Sequence, residues 1–492
     1  MKGLAGAIFL LLLFSALHAA PPSNFATGLP ARIGVPNATF YQTPSLLHTW
    51  AVLNNPSNGT QEIYLLVLRN LTWAPERALG TLAPGETRNL SIDFTARYDG
   101  QAHTEHEYVL IAAANGAALG RHFVIEEDWT PYIYQTKGEL HQTAQLFIPL
   151  IGILTVLLVV LLALWGYHSK APGAYEGEYT LRSLFLPALS GQPLGEDIAD
   201  LLEHPLFWLV ELGLLLGMAA LIGLGLSGPG SLDVLLLTAL GALAAPLIYF
   251  MAIWAYNEWV EKMPLRFFTA AFLWGCMAAM ATLLVNILYG PGISQALGLD
   301  VATTAVVTAV VITPILEETL KGLGLLALSG HHEFSDALHG ILLGFCVGLG
   351  FSFVENWFYF AAKTDPLQMG LLAWVALAAY RTLFNSISHA CFTSAIGGYL
   401  GWAKSREWGH LMRLAFIPGL LVAAVLHAMF NLTAIWDGFS ALSGDVPTYL
   451  FNPVLVLVLL AITGASLMLA RDDYFKRLQA PAPAPRPKKK AR

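Results

Sequence analysis

Residues 313–328 read Thr-Pro-Ile-Leu-Glu-Glu-Thr-Leu-Lys-Gly-Leu-Gly-Leu-Leu-Ala-Leu, two acids and a lysine inside an otherwise apolar run that extends from 302 to 328. Such a run is long enough to span a bilayer, which takes about 20 residues at 1.5 Å of rise. An ionisable group at membrane depth costs ~3 kcal/mol or more to insert, so Glu317, Glu318 and Lys321 mark a functional site within a membrane helix. Working outward, apolar runs of spanning length recur at 147–167, 206–226, 232–254, 267–289, 302–328, 336–361, 368–402, 414–435 and 449–470, which predicts nine spans. The seventh is too long for a simple crossing, so a tilted or broken segment is expected there. The fold class is therefore a membrane all-α bundle over most of the chain.

Composition agrees. The 492 residues are 56% apolar and only 12% charged, with mean hydropathy +0.58, whereas soluble domains carry about 25% charge. A net charge of −7 argues against a nucleic-acid partner. Cys276, Cys346 and Cys391 all fall in apolar runs, which excludes a disulfide framework and a CxxC zinc site. Lys170, Arg182, Lys262, Arg266, Lys404, Arg406, Arg413 and the basic C-terminus fall on one side of the nine spans, and only Lys363 lies in the short loops of the other. By the positive-inside rule the chain is a multi-pass cell-membrane protein with a cytoplasmic C-terminus.

The first third is different. Lys2 and the apolar run Ala5–Leu17, followed by small residues and Pro21-Pro22, follow a secretory signal plan, giving a signal peptide over 1–20. Residues 21–145 alternate strand-like runs (47–53, 62–68, 107–112) with turn clusters such as Asn54–Gly59 and Ala83–Glu86, predicting an exported immunoglobulin-like β-sandwich. Sequons begin at Asn37, Asn58, Asn70 and Asn89, which makes this domain a candidate glycoprotein surface. It holds no catalytic constellation and is read as a domain for binding partners or substrate. The remaining divisions are 146–264 (first spans, with a cytoplasmic loop at 168–205 that includes an interfacial helix), 265–435 (polar core), 436–471 (last span) and 472–492 (disordered basic tail).

Intramembrane polar groups concentrate in the later spans. Arg381, Asn385, His389 and Thr393 recur every four residues, as do Gly419, Ala423, His427 and Asn431, so each helix carries one polar, small-residue stripe. Gly344, Gly348 and Ser352 form a further small-residue stripe for close helix approach. Counting inward from the cytoplasmic ends puts Glu317 roughly 18 Å deep, His389 roughly 22 Å and His427 roughly 21 Å, so three helices bring ionisable groups to one level. Glu355 comes out roughly 30 Å deep, some 8 Å too far for a straight vertical helix, which suggests a tilt or an outer gate. Elsewhere, His331, His332 and His339 are read as solvated, Glu211 as an isolated packing or snorkelling group, and Arg381 as either the counter-charge of an acid or a residue meeting the membrane interface.

Paired carboxylates beside histidines in a dry site suit general acid–base work, with Lys321 holding one carboxylate ionised. An Asn and a His one turn apart can aim donors at an oxyanion. The ordered set Glu317-Glu318-x-x-Lys321, Phe351-x-x-x-Glu355, His389 and His427-x-x-x-Asn431 resembles the PrsW family of intramembrane proteases over roughly 265–435. The resemblance implies an endopeptidase in which Glu317 activates water with Glu318 beside it. It further implies that His389 positions or protonates the reacting groups and that His427 with Asn431 forms the oxyanion site. Glu355, Lys321, Arg381 and Asn385 are secondary or substrate-contacting residues on that reading. The spacing is not HExxH, and a glutamate mechanism needs no metal, although the His/Glu groups could hold Zn²⁺. The substrate would be a membrane-anchored protein in the lipid bilayer. The alternatives are a proton-coupled transporter or channel using the same buried groups, or an inactive membrane scaffold.

Overall fold

The computed structural model describes residues 26–27, 29, 31–35, 38–69, 72–114, 117–168, 201–202, 204–225, 231–260, 263–298, 300–435 and 451–479. The expected signal peptide, most of the 168–205 loop with its interfacial helix, two of the four sequon asparagines and the last residues of the tail lie outside them. The chain forms two compact units: one holds the N-terminal part through Leu140 together with Asp365–Ala373, the other the remainder.

The first unit is a two-sheet sandwich. Strands β1 (Ala26–Thr27), β2 (Ala31–Gly34), β3 (Ala38–Thr39), β4 (Ser45–Asn54), β5 (Gln61–Arg69), β6 (Thr72–Leu82), β7 (Thr87–Ala96), β8 (His103–Ala114) and β9 (Ala117–Asp128) contain each of the three runs read as strands. One sheet runs β1-β9-β8-β5-β6 with β3 also on β9; the other is β2-β4-β7. β1 and β3 join β9 in parallel, a departure from a purely antiparallel sandwich. The period-2 pattern sorts β4: Leu47, Thr49, Ala51 and Leu53 point in and are buried. They share a core with Ile63, Leu65, Leu110 and Phe123 of the facing sheet. Within the Asn54–Gly59 turn, buried Asn55 donates to the carbonyls of Gly59 (2.8 Å), Leu82 (3.1 Å) and Ala83 (3.0 Å), so its side chain stitches one turn to the next.

The helices are α1 (Thr130–His168), α2 (Pro205–Gly225), α3 (Ser231–Val260), α4 (Leu265–Leu297), α5 (Val301–Val307), α6 (Thr313–Leu328), α7 (Ala337–Phe358), α8 (Pro366–Met369), α9 (Leu371–Ser405), α10 (Phe416–Ile435) and α11 (Phe451–Gln479). Among the described residues seven helical stretches are long and apolar enough to cross a membrane, and Leu206–Met218 is a shorter apolar segment. The nine expected spans thus become seven, one short helix, and α9, a 35-residue helix whose polar stripe carries the site. α11 continues through Gln479, so residues 472–479 are helix rather than tail. Arg477 holds that turn by pairing with Asp473 (3.3 Å) one turn back and with Asp336 (3.0 Å) at the start of α7.

α7 is buried along nearly its whole length, and glycine is what allows its neighbours in. A Cβ on Gly340 would meet the Gly397 carbonyl oxygen at 1.9 Å, and one on Gly348 the His389 oxygen at 2.3 Å. The small-residue stripe therefore sets an antiparallel register between α7 and α9, pairing 340 with 397 and 348 with 389–390. His331 and His339 are 2% and 3% exposed rather than solvated. His331 packs on Phe267 and accepts the Glu333 backbone N–H, and His339 accepts that of Ser335. Glu211 is likewise buried, with no partner for either oxygen among the described residues, so it does not snorkel.

Candidate active site

A five-residue π turn, Thr308–Ile312, interrupts the helix just before Pro314. Pro314 lacks an N–H and its ring crowds the carbonyl four residues back, so the preceding turn loosens. The Asn431 side chain donates to the Ala309 carbonyl at 2.8 Å and closes this gap from α10. The two acids follow, one turn into α6, and their surroundings separate them. Glu318 is fully buried and engaged on every side: Lys321 Nζ donates to Oε1 at 2.7 Å, Thr393 Oγ1 to Oε2 at 2.9 Å, and His427 Nδ1 lies 3.1 Å from Oε1. Glu317 faces a cavity of about 530 Å³, and its Oε2 has no hydrogen-bond partner. The nearest groups to that oxygen are Lys321 Nζ at 3.6 Å and His427 Nε2 at 3.8 Å.

Lys321 is entirely buried. Its ammonium sits 3.9 Å over the Phe351 ring and 2.7 Å from His389 Nδ1. Since an ammonium only donates, His389 Nδ1 accepts, which leaves Nε2–H to donate to Glu355 Oε2 at 2.8 Å. Glu355 also takes Arg381 Nη2 (3.2 Å) and Asn385 Nδ2 (3.2 Å). The Arg381 guanidinium stacks 3.9 Å over Tyr359, so Arg381 is the counter-charge the sequence suggested. Asn356 Oδ1 binds the same Asn385 amide at 3.2 Å.

The structure thus gathers Glu317, Glu318, Lys321, Glu355, Arg381, Asn385, His389 and His427 into one continuous polar cluster, with Asn431 at its π-turn edge. Glu355 belongs to this cluster instead of an outer gate. The register places it about seven residues, or ~10 Å, along the axis from His389, but Cβ bonds tilt toward a helix's N-terminus. Because α7 and α9 are antiparallel, the Glu355 and His389 side chains lean toward each other and close that distance. Three contributors were not picked out as site residues: Thr393, Asn356 and Tyr359. Each had a signal in the spacing: Thr393 is one turn beyond His389 on the same stripe, Tyr359 one turn beyond Glu355, and Asn356 the polar residue next to Glu355.

One ligand atom each from Glu317, His389 and His427 lie within 4.8 Å of one another. A carboxylate and two imidazoles are the donor set of a catalytic zinc site, and the partnerless Glu317 Oε2 suits a cation. Glu318 on His427 Nδ1 is the outer-shell carboxylate such a ligand has. The residues therefore fit a divalent metal, provided His389 exchanges one of its two present partners for it.

Residues 263–462 match the model of the PrsW family intramembrane metalloprotease. The chain is 32% identical over 148 residues to a Protease PrsW of Shouchella clausii, covering 30% of this chain and 61% of that protein. A Protease PrsW of Oceanobacillus iheyensis is 28% identical over 145 residues, 29% of this chain and 59% of that one. The chain spans about three fifths of the length of these relatives. Native alpha-2-macroglobulin from Escherichia coli aligns over 84% of this chain and 66% of that one at 11% identity, but with a TM-score of 0.16 it informs no part of the fold.

Proposed function

With the PrsW match lying on the helices that build the cluster, we propose that this protein is an intramembrane endopeptidase in which Glu317 activates water against a peptide bond of a membrane-anchored substrate. The observation that carries the reading is the division between adjacent carboxylates: Glu318 is held by three partners, whereas Glu317 lines a cavity within the membrane part and its Oε2 makes no hydrogen bond.

In this mechanism a water sits between Glu317 Oε2 and His427 Nε2, atoms 3.8 Å apart, which is too far for a direct hydrogen bond. Glu317 takes the water's proton as hydroxide adds to the scissile carbonyl, and returns it to the leaving amine as the C–N bond breaks. Glu318 fixes the His427 ring through Nδ1, and Lys321 offsets the charge of the acid pair. The second N–H of Asn431 and a protonated His427 face the developing oxyanion. Glu355 holds His389 in one tautomer, and Arg381 with Asn385 holds Glu355. Glu317, His389 and His427 are the residues that would hold Zn²⁺, which would supply Lewis-acid polarisation of the scissile carbonyl. The sandwich serves as an exported recognition domain, and the C-terminus is cytoplasmic.

The test is cleavage of single-span reporter proteins by purified, lipid-reconstituted protein. Wild type should cut at least one reporter, and Glu317→Gln and His427→Ala should abolish cutting. Activity that survives both substitutions overturns the assignment and directs attention to proton flux.

A further inference from the structure

A second cavity, of about 600 Å³, lies within the helical unit between α7, α9, α10 and α11. It shares no residue with the acid–base cluster, and nothing assigned above uses it. On α9 its lining runs from Cys391 through Tyr399 to Trp402, Arg406 follows just beyond the helix at the mouth, and α11 contributes Ser466 and Asp473.

Three features say what it would hold. The distance along α9 from Cys391 to Trp402 is eleven residues, about 16 Å, close to the ~15 Å hydrocarbon depth of one leaflet. Two of the hydroxyls inside are spent on their own helices, Ser394 on the Cys391 carbonyl and Ser466 on that of Ile462, so most of the wall offers an occupant apolar contact. The mouth is built like a membrane–water boundary: Trp402 packs against Trp408 with ring centroids 5.1 Å apart, both partly exposed. Arg406 beside them is exposed and makes no ion pair among the described residues. Asp473, also in the lining, pairs with Arg477 at 3.3 Å, which it shares with Asp336. Arg406 therefore keeps guanidinium donors at the end of the apolar slot that no carboxylate of the described residues takes, a shape suited to a phosphate.

We propose that this cavity is a specific glycerophospholipid site, with an acyl chain lying along α9 toward Cys391 and the phosphate on Arg406. The proposal is independent of the protease reading.

The test is native mass spectrometry of the delipidated, detergent-held full-length protein, titrated with phosphatidylglycerol, diacylglycerol of the same chains, or glycerol phosphate. The expected result is a single phosphatidylglycerol adduct, with diacylglycerol at least tenfold weaker and no adduct with glycerol phosphate. Arg406→Gln should bring phosphatidylglycerol down to the diacylglycerol level. Ser466→Trp, at an exposed α11 position, should fill the slot and remove the adduct at an unchanged melting temperature. Equal binding of both lipids, several equivalent adducts, no retained adduct, or retention undiminished in Arg406→Gln would each overturn the site. Should Ser466→Trp fail to fold, Arg406→Gln and the lipid comparison still decide.

Discussion

Gly348→Ala tests the idea that helix approach, rather than any polar residue alone, sets the reacting geometry. The added methyl would lie 2.3 Å from the His389 carbonyl oxygen and 2.5 Å from the Ala390 Cα, both backbone atoms that cannot rotate aside. Restoring an ordinary contact of about 3.4 Å requires α7 and α9 to separate locally by about 1.1 Å. Applied to the 2.8 Å His389–Glu355 contact between the same two helices, that movement takes it past hydrogen-bonding range. Overpacking of this kind costs about 1–3 kcal/mol of stability, and a 1 Å misplacement of a reacting group costs about 100-fold in rate. The assay is kcat/KM on a cleaved reporter, with thermal unfolding in the same detergent to count folded protein. Gly217→Ala is the control, since a methyl there meets nothing within 4 Å. A Gly348→Ala protein that is folded and cuts within twofold of wild type would refute the register argument.

Further outcomes are expected. Glu317→Gln should lower kcat by about 10²–10⁴ with a smaller loss of stability than Glu318→Gln, because Oε2 makes no hydrogen bond and meets Lys321 only at 3.6 Å. Glu318→Gln should instead lower the melting temperature, because it strips the closest anion from a buried ammonium, a loss of about 3–5 kcal/mol. Thermal unfolding of the two variants side by side separates these outcomes. Zn²⁺ at about 100 times its Kd should raise wild-type stability by about 2.7 kcal/mol, with no rise in Glu317→Gln or His427→Ala; an equal rise in all three would remove metal from this site. Burial pushes the His331 imidazole down from 6.5 to about 3, so the unfolded chain takes up the proton first as pH falls. The stabilisation is whole above pH 6.5 and declines below it by up to about 1.4 kcal/mol per pH unit. His331→Asn should flatten the stability profile between pH 6.5 and 5, above the range where carboxylates titrate.

The meeting of Glu317, His389 and His427 could be read from the sequence because it rests on two regular quantities, the helical rise and the position of helix ends. Glu355 escaped the same arithmetic because counting rise locates a Cα, and the reacting atoms are several bonds away in a direction set by chain polarity. The paired roles of Glu317 and Glu318 were only half legible. Adjacent helix positions differ by about 100° in facing, so one had to look away from the cavity, but which one depends on where α9 and α10 pack. Thr393, which settles the matter by binding Glu318, was visible as a member of a stripe and carried no charge to draw notice. The end of α11 was misjudged for a related reason: Asp473 and Arg477 are helix-stabilising at that spacing, yet their anchor, Asp336, is 137 residues earlier than Asp473.

The π turn at Thr308–Ile312 lies where Pro314 removes a backbone donor. A proline three residues before Glu317 would ordinarily be a liability in a membrane helix, because the carbonyls it frees have no water to bind. Here Asn431 supplies the donor from α10, and the loosened turn contributes Thr308 and Ala309 to the cavity wall beside Glu317. The backbone defect, the residue that compensates it and the carboxylate oxygen without a hydrogen bond therefore belong to one arrangement: the break ends five residues before Glu317 and lines the same cavity. Replacing Asn431 should consequently disturb the cavity through the backbone at Ala309 as well as through any contact with a substrate carbonyl, whereas replacing Pro314 with alanine should remove the need for Asn431 and soften the loss.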